Sequence, residues 1–310
     1  MQTLTVTYIY FGNILPIQVI YYLWRGKMNN KIAYINSIFI AVIASIATLS
    51  GLFWKELYKH DTISVAAQAM GQDLVTLVIG IPILIGSLYL IRNNSLKGSL
   101  IWMGTLFYFI YTYASMSFLA SYNQLFLVYV ALFSLSLYTF VYGLLSLDIK
   151  TIKESITPGK TSKIAGIFLI FSGAMLALMW IKMIVDSLIT GIAPSALENY
   201  TTLVIQAMDI GVVFPATLIG GILILKGKEW GYTLVSILLI KASLLGTAIV
   251  SMIFFMAQKG VSPAVGQVIF FVIITAAGIL ISIAFYSRIK SPLYKNKYTE
   301  FKNQKYSLDM

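Results

Sequence analysis

The sequence predicts an all-α fold, a polytopic transmembrane helical bundle of about nine helices, and three observations carry that prediction. Hydrophobic residues make up 59% of the 310-residue chain and charged ones only 11%, where an ordinary soluble domain carries about 25% charged residues. The mean hydropathy is +0.86. The apolar residues also fall in continuous runs of about 20, the helix length that crosses a hydrocarbon core of about 30 Å. Outer-membrane barrel strands alternate apolar and polar residues over about ten positions, so a barrel is excluded.

The runs cover 5–24, 34–54, 72–92, 98–118, 125–146, 164–187, 203–226, 231–256 and 264–287. Asn13, Pro16 and Gln18 interrupt the first. It has no basic leading region and no small-residue cleavage site, so it reads as a span and not as a removable signal peptide. Residues 1–287 form one transmembrane domain, and 288–310 a basic tail in which lysines alternate with aromatic residues. The longest remaining inside loop, 147–163, is too short for a second domain.

Charge placement gives the bundle an orientation. With nine spans and the N-terminus outside, seventeen lysines and arginines fall in inside segments, whereas only Lys55, Lys59 and Lys259 fall outside. That asymmetry is what the positive-inside rule requires and puts the C-terminus in the cytoplasm. The composition suits a prokaryotic plasma membrane. The net charge of +11 is distributed over loops and tail, where it meets anionic lipid head groups. No folded basic module with interleaved aromatic residues is present, so nucleic acid is rejected as a partner.

Element spacing suggests two parallel four-helix repeats, 31–146 and 163–287. Lys31-Ile32-Ala33 and Lys163-Ile164-Ala165 open them, and Gln72 with Gln206 and Gly86 with Gly220 align at an offset of 134. Parallel repeats occur in transporters, with the site at their interface.

Ionisable residues inside spans cost about 2.5–3.5 kcal/mol each on insertion scales and usually face a partner or a cavity. Asp73 and Asp209 lie at similar depth, each with an amide neighbour (Gln72, Gln206) and a proline further in (Pro82, Pro215). Asp73, read as lying near a helix start, could equally serve as a cap. Lys241 sits near the middle of its span, on the helix after that of Asp209. A rise mismatch of roughly 10 Å works against a direct pair. Lys182 and Asp186 form an i, i+4 pair at a helix end. Tyr108, Tyr111 and Ser115 share a helix face, which either lines a pathway or ties to the next helix. The candidate pathway or ion and solute site is therefore Asp73, Asp209, Lys241, Gln72, Gln206, Tyr108 and Tyr111.

Much chemistry is absent. There is no cysteine, and the single histidine, His60, lies in a polar loop. Disulfides, thiolate metal sites and two-histidine sites cannot be built from one chain, and no cofactor or metal is expected. Neither a phosphate loop nor a G-x-S-x-G motif occurs. Gly71-Gln72-Asp73 only grazes the G-x-G-D pattern of intramembrane aspartyl proteases, so no catalytic residue is assigned and an enzyme is disfavoured. Two function classes remain: a transporter of a small solute or ion, or a non-transporting subunit or sensor that acts through a membrane protein partner.

Overall fold

A computed structural model describes residues 30–290, and the expected span 5–24 therefore lies outside the described residues. Nine α-helices follow in order: α1 (Asn30–Phe53), α2 (Ile63–Arg92), α3 (Leu96–Phe118), α4 (Phe126–Ser146), the short α5 (Ile149–Ser155), α6 (Lys160–Thr190), α7 (Val204–Leu225), α8 (Glu229–Gln258) and α9 (Val265–Ser287). No strand occurs among the described residues; the one bridge pairs Ile156 with Ile289. All but α5 and α3 are long and apolar enough to cross a membrane, seven helices in all. The chain is an integral membrane protein built as an all-α bundle.

Helix α3 is as long as α9 but carries Tyr108, Thr112, Tyr111, Tyr113 and Ser115 in place of aliphatic residues. Sixteen of its 23 residues are buried, against five of 23 in α9. A helix surrounded by protein can hold polar groups that a lipid-facing helix cannot, because neighbouring helices satisfy them. Helix α8 is the second central element. It packs on α2, α3, α7 and α9. The two central helices meet where α3 has only a glycine: a Cβ at Gly104 would lie 2.7 Å from the Ile237 carbonyl.

Helices α2 and α7 are each interrupted by five π-helical residues, Thr76–Gly80 and Asp209–Val213. In both, the residue before the proline donates five positions back, Ile81 N–H to Thr76 O and Phe214 N–H to Asp209 O. Pro82 and Pro215 then open the second, α-helical part. Proline has no N–H to continue the ladder, and a π-turn is one way for a helix to absorb that loss.

The connections that follow are also alike. Asn94 and Gly227 adopt positive φ, 56° and 66°. Ser95 N–H donates to Leu90 O at 3.0 Å and Lys228 N–H to Leu223 O at 2.9 Å, the Schellman closure of a helix end. Gly98 then packs on Leu90 and Ile91, and Gly231 on Leu223 and Ile224. Prolines, turn residues and packing glycines are all 133 positions apart. That register pairs Gln72 with Ile205 and Gly86 with Ile219. The identities at an offset of 134 are therefore not structural counterparts.

Two loops differ from expectation. Helix α2 begins at Ile63 with Thr62 as its N-cap, nine residues before the expected start at 72. The segment Ile63–Gly71 mixes serine, glutamine and alanine with its apolar residues and so resembles a loop in hydropathy, but it packs against α8. The segment 147–163 contains α5, capped by Asp148, with Ile152 and Ile156 fully buried. Lys290 N–H closes onto Ser155 O at 2.9 Å; the tail beyond 290 lies outside the described residues.

Candidate functional site

The polar residues named from the sequence fall into two buried clusters joined by α3. The first gathers on α2. Asp73 is ten positions past the helix start and only 4% exposed. It is therefore no cap, a correction that follows from the earlier start of α2. Tyr58, from the 54–62 connection, donates its hydroxyl to Asp73 Oδ2 at 2.6 Å. Gln72 Nε2 donates to Thr112 Oγ1 at 2.7 Å, and the Thr76 and Tyr108 hydroxyls bond at 2.7 Å. The loop residue Tyr58 reaches the carboxylate because Gly51 leaves room; a Cβ there would collide with Asp73 Oδ2.

The second cluster centres on Asp209, the first residue of the π-turn in α7. Tyr111 Oη donates to Asp209 Oδ1 at 2.8 Å, and Trp180 Nε1 on α6 donates to Oδ2 at 2.9 Å. Lys241, 2% exposed, lies thirteen residues into α8. Its ammonium stands 4.3 Å from the centroid of the Tyr111 ring and 5.9 Å from that of Phe107, within cation–π range. Lys241 and Asp209 are near enough to attract, but they do not form an ion pair closer than 4 Å. Tyr111 connects them instead, with its hydroxyl on the acid and its ring facing the base. The rise mismatch between α7 and α8 thus does separate the two charges.

In the 133-residue register Thr76 corresponds to Asp209, and Tyr108 to Lys241. The neutral Thr76–Tyr108 hydrogen bond thus lies 133 positions before the acid and the base. Asp73 corresponds to Gln206. The two aspartates are not counterparts: Asp209 lies three residues, about one turn, nearer its proline. Gln206 is buried beside the π-turn.

A cavity of about 100 Å³ lies between α6, α7, α8 and α9. Lys241 and Thr275 line it together with Phe168, Leu176, Val213 and Phe271. Neither aspartate does. The structure thus unites Asp209, Lys241 and Tyr111, and sets Asp73, Gln72 and Tyr108 apart with their own partners. Ser115, named with the two tyrosines, bonds only the Thr112 carbonyl of its own helix. Lys182 and Asp186 pair at the exposed end of α6, as their spacing implied.

Sequence reasoning missed Trp180 and Tyr58. Trp180 had a signal: tryptophan usually marks a membrane interface, and this one is ten residues from the end of α6. Tyr58 had none, since its loop contains lysines, glutamate and His60 and looks entirely solvated. The loop is instead anchored. His60 is exposed, with its carbonyl accepting from Ser121 Oγ, while Asp61 Oδ1 accepts from Ser121 N–H at 2.7 Å and from the Tyr200 hydroxyl at 2.9 Å. Partial burial, with the Asp61 charge adding to it against a hydrogen bond from the Thr62 backbone, pushes the Tyr200 phenol up to about 12.

No known protein family, curated protein or solved structure matches the chain. Among the described residues no group of three or more acidic, histidine or cysteine side chains is placed to hold a metal ion.

Proposed function

We propose that this protein is a plasma-membrane transporter of a small solute or ion, built from two parallel four-helix repeats, with Asp209, Tyr111 and Lys241 as its working centre. The observation that carries the reading is the acid–aromatic–base arrangement buried where the central helices meet. Holding two ionisable groups at membrane depth costs several kcal/mol. A purely structural tie does not need them, because Thr76 and Tyr108 make a neutral one at the corresponding positions. The π-turns support the reading further, since such interruptions concentrate at functional sites. The cavity beside Lys241 suits a small cargo: an apolar cavity of about 150 Å³ accepts benzene, and this one is smaller.

The chain is oriented with its N-terminus outside and its C-terminus in the cytoplasm, which the lysine and arginine distribution supports. The test of function is uptake into vesicles reconstituted with the purified protein, using a panel of labelled small organic acids, amines and amino acids. At least one should accumulate. Asp209→Asn and Lys241→Met should each lower that uptake about tenfold or more, in keeping with the loss of one charged contact, while still inserting. Unchanged uptake in both variants, or no panel member crossing in the wild type, overturns the assignment.

The rival reading is a membrane subunit or sensor acting through a protein partner. It draws on the same bonds, since Tyr111 and Trp180 fasten Asp209 to two other helices. A partner that co-purifies in fixed stoichiometry, with no flux from the chain alone, would favour it.

A further inference from the structure

The working centre proposed above leaves Asp73 unused, and its surroundings are unusual. Five side-chain atoms in this half are sealed from solvent and lack a hydrogen-bond partner, and three of them belong together: Tyr113 Oη, Tyr129 Oη and Asn123 Nδ2. Their residues are 1%, 2% and 6% exposed. The Asp73 charge acts on both tyrosines, and Tyr129 sits beside Tyr58 and Asn123. The Tyr113 and Tyr129 rings stack with centroids 6.4 Å apart. Asn123 Oδ1 accepts from Leu125 N–H at 3.0 Å, which leaves its amide nitrogen directed elsewhere. Orphaned polar atoms of this kind are rare in folded proteins and point to a bound water, an ion or a functional group.

Charge decides between a water and an ion. Asp73 takes one hydrogen bond, from Tyr58, and no basic side chain among the described residues pairs with it; Lys241 is engaged with Tyr111 and Asp209. A water would satisfy hydrogen bonds but leave a bare carboxylate at membrane depth. A divalent ion would replace one excess charge with another. A single positive charge balances the site; a proton supplies that charge without using the phenols, whereas a metal ion engages them, and one carboxylate with several phenols is a donor set that hard cations prefer.

We propose that Asp73, with the phenol oxygens of Tyr58, Tyr113 and Tyr129, binds a monovalent alkali cation, sodium in the first instance. Asn123 lies beside the Tyr129 hydroxyl, and Gly51 admits the carboxylate. As the coupling ion this cation deepens the transporter reading and rests on it for that role alone.

The test is thermal unfolding of the full chain in detergent, followed by tryptophan fluorescence, in sodium chloride against choline chloride at equal ionic strength. Sodium should raise the midpoint by about 2 °C or more, with a saturating dependence, because a ligand that binds only the folded state stabilises it by mass action. Asp73→Asn should abolish the response. Tyr113→Phe and Tyr129→Phe keep the rings and should raise the sodium concentration for half-effect about threefold or more, the loss expected for one oxygen donor. Equal midpoints in the two salts, the result that a bound water or a protonated Asp73 gives, overturn the site, as does a sodium response that persists in Asp73→Asn. The two proposals fail separately: sodium stabilisation without solute flux leaves the site standing, and flux without a sodium response removes it.

Discussion

Helices α2 and α7 share one backbone plan and use it differently. Each has five π-helical residues, a proline after them and a Schellman turn at its C-terminal end. In α2 the π-turn opens on Thr76, bonded to a tyrosine; in α7 it opens on Asp209, which faces a tyrosine, a tryptophan and a nearby lysine. In α2 the carboxylate lies one turn nearer the helix start, at Asp73, and is met by Tyr58 from a loop. A backbone irregularity therefore sets where polar groups can lie, and side chains decide whether that place holds a neutral tie or a charge pair.

The largest effect should come from separating the charges. Asp209→Asn leaves Lys241 buried with no acid nearby, and an uncompensated buried charge costs up to about 3–5 kcal/mol. The double variant with Lys241→Met should recover a large part of that in denaturant or thermal unfolding. If the two losses simply add, the residues do not act as a pair. Asp73→Asn is the matched control: it leaves no lysine behind and, in sodium-free buffer, should leave stability unchanged or raise it.

Next in size is room at the carboxylates. Gly51→Ala places a methyl group against Asp73 and should cost about 1–3 kcal/mol, the usual range for overpacking. Gly86→Ala meets nothing within 4 Å and should gain about 0.5–1 kcal/mol from helix propensity. Equal stabilities for the two variants would mean that Asp73 is not enclosed as described.

The tyrosines compare the halves directly. Tyr111→Phe removes a hydrogen bond to a carboxylate, about 1.5–3 kcal/mol, and Tyr108→Phe removes a neutral one, about 1 kcal/mol. Midpoint shifts of the reverse order would contradict the assignment of charge to the second half.

The smallest effect is expected where Tyr200 ties the connection before α7 to Asp61. The phenol is raised from its ordinary value near 10 to about 12. Its contribution is thus fully present below pH 10 and is lost as pH rises through about 12. Proteolysis of the 191–203 segment should be constant from pH 6 to 9 and should increase above about pH 10 in the wild type. Tyr200→Phe should flatten that rise.

Orientation can be settled with the same protein. It contains no cysteine, so single cysteines at Ser195 and Thr161 report sidedness without background. An impermeant thiol reagent should label the first from outside and the second only after permeabilisation.

Span positions were legible because twenty apolar residues in a row have one stable setting, a helix in lipid. The start of α2 lies nine residues before the expected one, since Ile63–Gly71 packs on α8 and can include serine and glutamine. Asp209 and Lys241 were legible as costly residues, and the mismatch in rise between their helices was visible in the numbering. Trp180 and Tyr58 come from elements distant in sequence, 29 and 15 positions from the acids they hold, and no local periodicity connects them.

What the sequence by itself determined is the solvent, the helical class and the presence of ionisable groups within it, because each follows from transfer free energies that depend on composition and run length. Only the tertiary structure decided the pairing of those groups. It joined Thr76 to Tyr108 by a neutral hydrogen bond, put Tyr111 between the acid and the base, and met Asp73 with Tyr58 from a loop. Hydrogen bonds and charge contacts act over a few ångströms, and which helix faces meet at that range is set by packing, including the glycine that lets α3 and α8 approach.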